Sequence, residues 1–303
     1  MPEHPLAVGR ALLVLTHPDR MPAQAIERVS GWVSRPRCVR SDSQTAILQV
    51  DAVARGRRAP LAHACRELGL DHALLREPRS FDGYGVLVCD MDSTLITIEC
   101  IDELAARMGC GEAVAALTAR AMTDDHVDYD QSLRSRVRLL AGLPISDLEW
   151  VYAHRLTLTP GAEAFVADAQ AASLHTGIVS GGFDYFTERL RCRLAFAFAH
   201  GNRLVVRDGV LTGEMCGPLV NAAYKAAALT QVCREQACPP ARAIAVGDGA
   251  NDLGMMAVAG LAVGFRPKDI VAAYADVVIW SRLDRLGDLL SAGHQAWVEM
   301  MAG

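Results

Sequence analysis

An α/β fold is predicted by three features of the chain. Beyond residue 83 there are five short, nearly continuous apolar runs; helical periodicity fills the intervals between them; and a different rhythm precedes residue 80. Runs of this kind belong to a parallel sheet covered on both faces. The expectation is a doubly wound parallel-sheet core over residues 81–303 carrying an inserted helical cap, preceded by a small α+β domain over residues 1–80.

In the first part, the apolar runs Ala11–Leu15 and Thr45–Val50 alternate with helical stretches at Ala23–Val33 and Ala59–Leu68. Strand signals near Cys38 and over His72–Leu75 complete the order strand, helix, strand, strand, helix, strand, which folds as a ferredoxin-like sandwich. Arg76–Ser80 breaks both periodicities with charge and proline and reads as a linker. In the second part, Gly85–Cys89, Thr176–Val179, Ala243–Val246, Leu261–Gly264 and Val277–Trp280 are the expected core strands. About 85 residues separate the first two of these, too many for one crossover. Part of that stretch, about 103–158, is therefore expected to be the cap. Arg203–Val206 and Val210–Met215 flank Asp208-Gly209, a tight-turn signal for a β-hairpin.

Composition narrows the function. Of 303 residues, 51% are hydrophobic and 21% charged, enough apolar surface for a real core. The net charge of −5 makes a poor partner for nucleic acid or an acidic membrane. The nine cysteines are odd in number and show no matched Cys-x-x-Cys pairs, which reads as reduced, buried thiols in a cytoplasmic protein. No apolar run approaches the ~18 residues that span a bilayer, and Glu3 stands where a secretion signal carries positive charge. A soluble protein acting on a small molecule, without nucleic acid or membrane and compatible with a homodimer, is the expectation.

Three motifs carry the chemistry. Asp90-Met91-Asp92-Ser93-Thr94 follows the first core strand, so two carboxylates leave the carboxyl end of a strand, where open α/β sheets bind ligands. A calcium loop is excluded, because its sixth and twelfth positions are Leu95 and Ile101 instead of Gly and Glu. Ser180-Gly181-Gly182-Phe183 ends the next core strand and opens a helix, presenting N–H groups and a hydroxyl to an anion. Gly247-Asp248-Gly249-Ala250-Asn251-Asp252 ends the third and returns acids to the same edge. Each alone is an ordinary turn or helix cap. Together with a cation at Lys225 they fit attack by a carboxylate on phosphorus, where a metal ion and a lysine offset repulsion between anions.

The set Asp90, Asp92, Ser180, Lys225 and Asp248 resembles the haloacid dehalogenase superfamily over about 83–290. Within it, Glu99-Cys100-Ile101-Asp102-Glu103 and Gln131-Ser132-Leu133-Arg134-Ser135-Arg136-Val137 resemble the phosphoserine phosphatases. The resemblance implies Mg²⁺-dependent hydrolysis of O-phospho-L-serine, the last step of serine biosynthesis, on a haloacid dehalogenase-like core. Asp90 would be the nucleophile, forming an aspartyl-phosphate, and Asp92 the general acid and base. Mg²⁺ would be held by the carboxylates of Asp90 and Asp248 and the backbone carbonyl of Asp92. Ser180, Gly181 and Lys225 would grip the phosphate. Asn251 and Asp252 would orient the phosphate and the metal's surroundings. Glu99 would face the serine ammonium and Arg136 its carboxylate.

Two stretches depart from the resemblance. Thr123–Tyr129 is more acidic than the usual lid, lacks its common glycine, and has Tyr129 where phenylalanine is usual. Arg266 stands where a smaller residue is common. His126, His154, His175 and His200 lack metal-ligand spacing and read as structural or solvated. The alternatives are another small-molecule phosphatase, a phosphotransferase to an amino-acid alcohol, or an amino-acid sensor whose first domain resembles the ACT fold. Intact Asp90, Asp92 and Lys225 argue against a pure sensor.

Overall fold

The computed structural model describes residues 10–123 and 128–302. Glu3, His126 and most of the acidic lid stretch lie outside the described residues.

The chain opens with β1 (Arg10–Thr16), α1 (Ala25–Ser30), β2 (Arg37–Ser41), β3 (Thr45–Asp51), α2 (Arg55–Glu67) and β4 (Asp71–Leu75). These four strands lie antiparallel in the order β2-β3-β1-β4, the ferredoxin-like arrangement. Leu13, Leu15, Leu48, Leu61, Cys65 and Leu70 close an apolar core drawn from these residues alone. The helices reach this core through Ala25 and Val29 of α1 and Leu61 and Cys65 of α2, while Ala62 on α2 packs into an apolar cluster of the second part.

The second part contains β5 (Val86–Cys89), then the cap helices α3 (Cys100–Met108), α4 (Gly111–Thr123), α5 (Tyr129–Arg138) and α6 (Ile145–His154). The core resumes with α7 (Ala162–Ala171), β6 (His175–Phe183), α8 (Asp184–Arg193), β7 (Phe198–Arg207) and β8 (Val210–Cys216). It ends with α9 (Ala222–Glu235), β9 (Ala243–Gly247), α10 (Leu253–Val258), β10 (Leu261–Phe265), α11 (Asp269–Ala272), β11 (Val277–Ile279) and α12 (Arg285–Ala302). Strands β11-β10-β9-β5-β6-β7 run parallel and are buried at almost every position of β5, β9 and β10. Each fully buried Val or Leu there contributes roughly 1.5–3 kcal/mol.

The cap is set off by a short stem, in which Ile96 bridges Leu158 and Thr97 N–H donates to the Thr157 carbonyl at 3.0 Å. Its first helix begins at Cys100, three residues before the sequence places the cap. The hairpin β7–β8 closes over Asp208 and Gly209, both with positive φ (53° and 78°), as a tight two-residue turn requires. It reaches the cap through the bridge Pro144–Val210.

The eleven strands of the described residues form one sheet, because β4 pairs antiparallel with β11 through Ala73–Val277 and His72–Val278. Polar contacts reinforce this seam. Arg58, buried, donates to the carbonyls of Tyr274 and Ala275 at 2.8 and 3.1 Å and pairs with Asp276. The Asp71 carboxylate accepts from the N–H groups of Trp280 and Ser281 at 2.7 and 3.1 Å and from the Ser281 hydroxyl. Burial pushes the His72 imidazole down to about 3, so it enters the seam uncharged. The linker is docked, with Arg79 donating to the Ala241 carbonyl.

One expectation is corrected. Cys65, Cys89, Cys100 and Cys233 are buried, but Cys38, Cys192 and Cys216 are exposed. They occupy an edge strand, an outer helix face and the end of β8, and the arginines flanking Cys38 and Cys192 belong to the same exposed surfaces. No described helix is long and apolar enough to cross a membrane.

Candidate active site

Strand β5 lies between β6 on one side and β9 on the other, so the chain reverses its direction of winding there and opens a crevice at the carboxyl ends. The three sequence motifs meet in that crevice.

Asp90 continues the β5 ladder, its N–H donating to the Val246 carbonyl at 2.9 Å. Its side chain is buried, and Oδ1 accepts from the Met91 N–H at 2.8 Å and pairs with Lys225 Nζ at 2.9 Å. Oδ2 makes no hydrogen bond or ion pair among the described residues and is the free oxygen. The chain then turns back over Met91–Leu95 with Ser93 at φ 55°. That turn places the Ser93 hydroxyl on Glu99 Oε1 at 2.7 Å and Asp92 Oδ1 under the Cys100 N–H at 3.3 Å. Burial, and then the charge of Glu99, raise the Asp92 carboxyl well above the usual range. Such surroundings favour the protonated carboxyl, as a general acid requires.

At the end of β6, Ser180 Oγ accepts from the Gly182 N–H at 3.0 Å. Side chains crowd both glycines. A Cβ on Gly182 would stand 2.6 Å from Asp92 Oδ2, and one on Gly181 would strike the Tyr129 hydroxyl. This cradle is fixed by a residue the sequence did not single out. Buried Asn202 donates to the Gly181 carbonyl at 2.8 Å and accepts from the Val220 N–H at 2.9 Å. Nothing in the local sequence marks it, since its two contacts lie 21 and 18 positions away. Asn221 caps α9, accepting from the Tyr224 N–H at 3.0 Å.

One turn into α9, Lys225 is fully buried between Asp90 and Asp252, 2.9 and 2.7 Å away. Burial opposes its charge, but the Asp252 and Asp90 carboxylates more than offset this and hold the ammonium above its ordinary value. Asp252 is saturated: Oδ1 meets Lys225, and Oδ2 accepts from the Asp248 and Gly249 N–H groups at 3.1 Å.

Carboxylate oxygens of Asp90, Asp248 and Asp252 converge within 4.8 Å of one another. Burial, then Asp90, raise Asp248 to about 7 and Asp252 to about 6. Asp252 stays the lower because Lys225 and a backbone N–H pull it back. Lys225 offsets part of the charge on Asp90 and Lys268 Nζ stands 3.6 Å from Asp248, so the negative charge left over concentrates between Asp90 and Asp248. Oxygen donors with uncompensated charge suit a hard divalent cation. The Asp92 carboxyl stands apart from this cluster, and Asp252, though within it, has its oxygens engaged by the protein.

The residues expected to read the rest of a substrate come from other elements. Glu99 immediately precedes α3 and accepts from the Ser93 hydroxyl. Desolvation raises its carboxyl, and the Ser93 hydrogen bond pulls it back. Arg136 lies on α5 with its Nε buried and unpartnered, and no carboxylate oxygen lies within salt-bridge distance among the described residues. Its charge lowers the Asp102 carboxyl on α3, against the effect of burial. Asn251 sits in the turn after Asp248, its Oδ1 beside Gly249. Arg266 points away from the crevice, donating to the carbonyls of Trp280 and Ser281 at 3.1 and 3.0 Å.

Comparison with known proteins agrees with this geometry. A family model for haloacid dehalogenase-like hydrolases matches residues 87–257. The phosphoserine phosphatase of Albidiferax ferrireducens is 43% identical over 217 residues, covering 70% of this chain and 92% of that protein. A crystal structure of a probable phosphoserine phosphatase from Vibrio cholerae aligns with TM-score 0.74 and 32% identity over 95% of this chain and 88% of that one. A phosphoserine phosphatase solved as a phospho-aspartyl intermediate analogue aligns with TM-score 0.63 and 36% identity over 69% of this chain and 98% of that one.

Proposed function

From the chain's membership of the haloacid dehalogenase-like hydrolases, in the branch formed by the phosphoserine phosphatases, we propose that it hydrolyses O-phospho-L-serine to L-serine and phosphate through an aspartyl-phosphate on Asp90. The observation that carries this is the pairing of a buried carboxylate, one oxygen held by Lys225 and Met91 and the other free, with a second carboxyl at Asp92 whose protonated form burial and Glu99 favour.

In the first step Asp90 forms a bond to phosphorus, the bond from phosphorus to the serine oxygen breaks, and Asp92 gives that oxygen a proton. In the second, water attacks phosphorus, Asp92 takes the water proton, and Asp90 is released with inorganic phosphate. Ser180, Gly181, Lys225 and Asn251 hold the phosphate oxygens, and Asn202 keeps the cradle in place. The carboxylates of Asp90 and Asp248 and the Asp92 carbonyl would hold Mg²⁺, which would supply charge neutralisation at the phosphoryl group. Asp252 fixes Lys225 and the turn bearing Asp248. In this reading residues 1–80 are a domain of their own, supported by the apolar cluster that α1 and α2 close on one face of their sheet, while the other face, with Leu12, Val14 and Ile47, packs into the main core.

The metal assignment has a thermodynamic consequence. Without metal, Asp248 titrates near 7 in the native protein against roughly 3.9 when unfolded. Between those values the native state keeps a proton the unfolded state has released, so this group's contribution to stability falls as pH rises through the window and levels above it. Mg²⁺ needs the deprotonated carboxylate. Added Mg²⁺ is therefore expected to raise the melting temperature more at pH 8 than at pH 5.5. Equal increments at the two pH values would exclude Asp248 as a ligand.

The substrate assignment is tested by Arg136→Ala. An arginine–carboxylate bond made only to the amino-acid end is worth roughly 1.5–3 kcal/mol, about one to two decades in kcat/KM. Turnover of O-phosphoserine should fall at least about tenfold more than turnover of p-nitrophenyl phosphate, which has no carboxylate. An equal loss on both substrates in a folded variant would contradict the role given to Arg136.

A further inference from the structure

The first turn of α5 is fastened to the phosphate cradle. Asn221, at the start of α9, donates to both carboxylate oxygens of Asp130 at 3.1 and 3.3 Å, and Asp128 caps the helix by accepting from the Asp130 N–H. Between them Tyr129 is half-buried, its ring packed against the main apolar core and its hydroxyl against Gly181. That hydroxyl makes no hydrogen bond among the described residues. Tyr129 shares a helix face with Arg136, whose Nε is also buried without a partner. The two stand seven residues, about 10 Å, apart along the axis.

We propose that the Tyr129 hydroxyl donates a hydrogen bond to a non-bridging oxygen of the substrate phosphate, closing the Ser180–Gly182 cradle from the cap side. Its place on Gly181 sets it at the phosphate end, whereas Arg136, two turns further on, serves the amino-acid end. Burial raises the phenol above its ordinary value, and Lys225 only partly reverses this, so the group keeps the proton it donates. The cap thus recognises both ends of the substrate from a single helix. This inference rests on the phosphatase reading above.

Tyr129→Phe keeps the ring and removes only the oxygen. A hydrogen bond to a charged oxygen predicts a loss of about tenfold or more in kcat/KM, by a common factor for O-phosphoserine and p-nitrophenyl phosphate, because the phosphate is common to both. The inhibition constant of inorganic phosphate should rise by a similar factor, while inhibition by L-serine stays unchanged. Tyr129→Met should show the same common factor. Parent-like turnover of both esters with an unmoved phosphate constant would overturn the inference, as would a loss confined to O-phosphoserine. If the unaltered protein fails to hydrolyse O-phosphoserine, the substrate reading fails by itself, and phosphate competition against p-nitrophenyl phosphate still decides on Tyr129.

Discussion

Asp90→Asn is expected to leave a folded protein whose kcat is lower by on the order of 10⁴ or more, the scale on which removing a covalent nucleophile acts. An amide cannot attack phosphorus at a useful rate, and it brings no negative charge to the metal. Folding should survive, because the amide oxygen can still accept from the Met91 N–H and Lys225 Nζ that now hold Oδ1. The change also removes one charge from a cluster in which Asp90 raises both Asp248 and Asp252. The melting temperature should therefore change little or rise. Calorimetry alongside single-turnover phosphate release separates the two effects. Substantial turnover in the folded variant would remove Asp90 as the nucleophile.

Lys225→Met should damage both stability and activity. The side chain is fully buried and neutralises two carboxylates within 2.9 Å. Removing one partner from a buried ionic group costs about 3–5 kcal/mol, because the remaining charges are left uncompensated. At roughly 2–4 °C per kcal/mol for domains of 150–250 residues, the melting temperature should fall by some 6–20 °C. Loss of a preorganised cation at the phosphoryl group should cost a further 10²–10³-fold in kcat, about the effect of deleting one oxyanion donor. Mg²⁺ should restore part of the stability, since it neutralises Asp90 from the other side, but not the turnover. A melting temperature within 2 °C of the parent would show that the acids relax by taking up protons, and full activity would sever Lys225 from the phosphate.

Much of this site was legible because each motif is local. Asp90, Ser180 and Asp248 each follow an apolar run, so their positions at one sheet edge came from the strand pattern and the parallel topology. Lys225 was legible only through its company, as a lone helical lysine is usually solvated. The residues that missed notice act at a distance. Asn202 ties Gly181 to Val220, and Lys268 reaches Asp248 from the loop after β10. No spacing in a single sequence encodes either contact. The same limit applied to the fold. The order of strands and helices in residues 10–75 could be read from periodicity, but not the pairing of β4 with β11, which joins His72 to Val278 across some two hundred residues. Periodicity states that a strand has a buried face and says nothing of which edge it seeks.

The central claim is that this crevice hydrolyses O-phospho-L-serine with a divalent metal on Asp90 and Asp248. Phosphate release from O-phospho-L-serine, followed with Mg²⁺, after chelation by EDTA, and after Mg²⁺ is restored, tests substrate, chemistry and metal in one series. Steady release that stops on chelation and returns with Mg²⁺ is the predicted result. Release that continues undiminished in EDTA, or no release from O-phospho-L-serine by a folded protein that cleaves p-nitrophenyl phosphate, would contradict it.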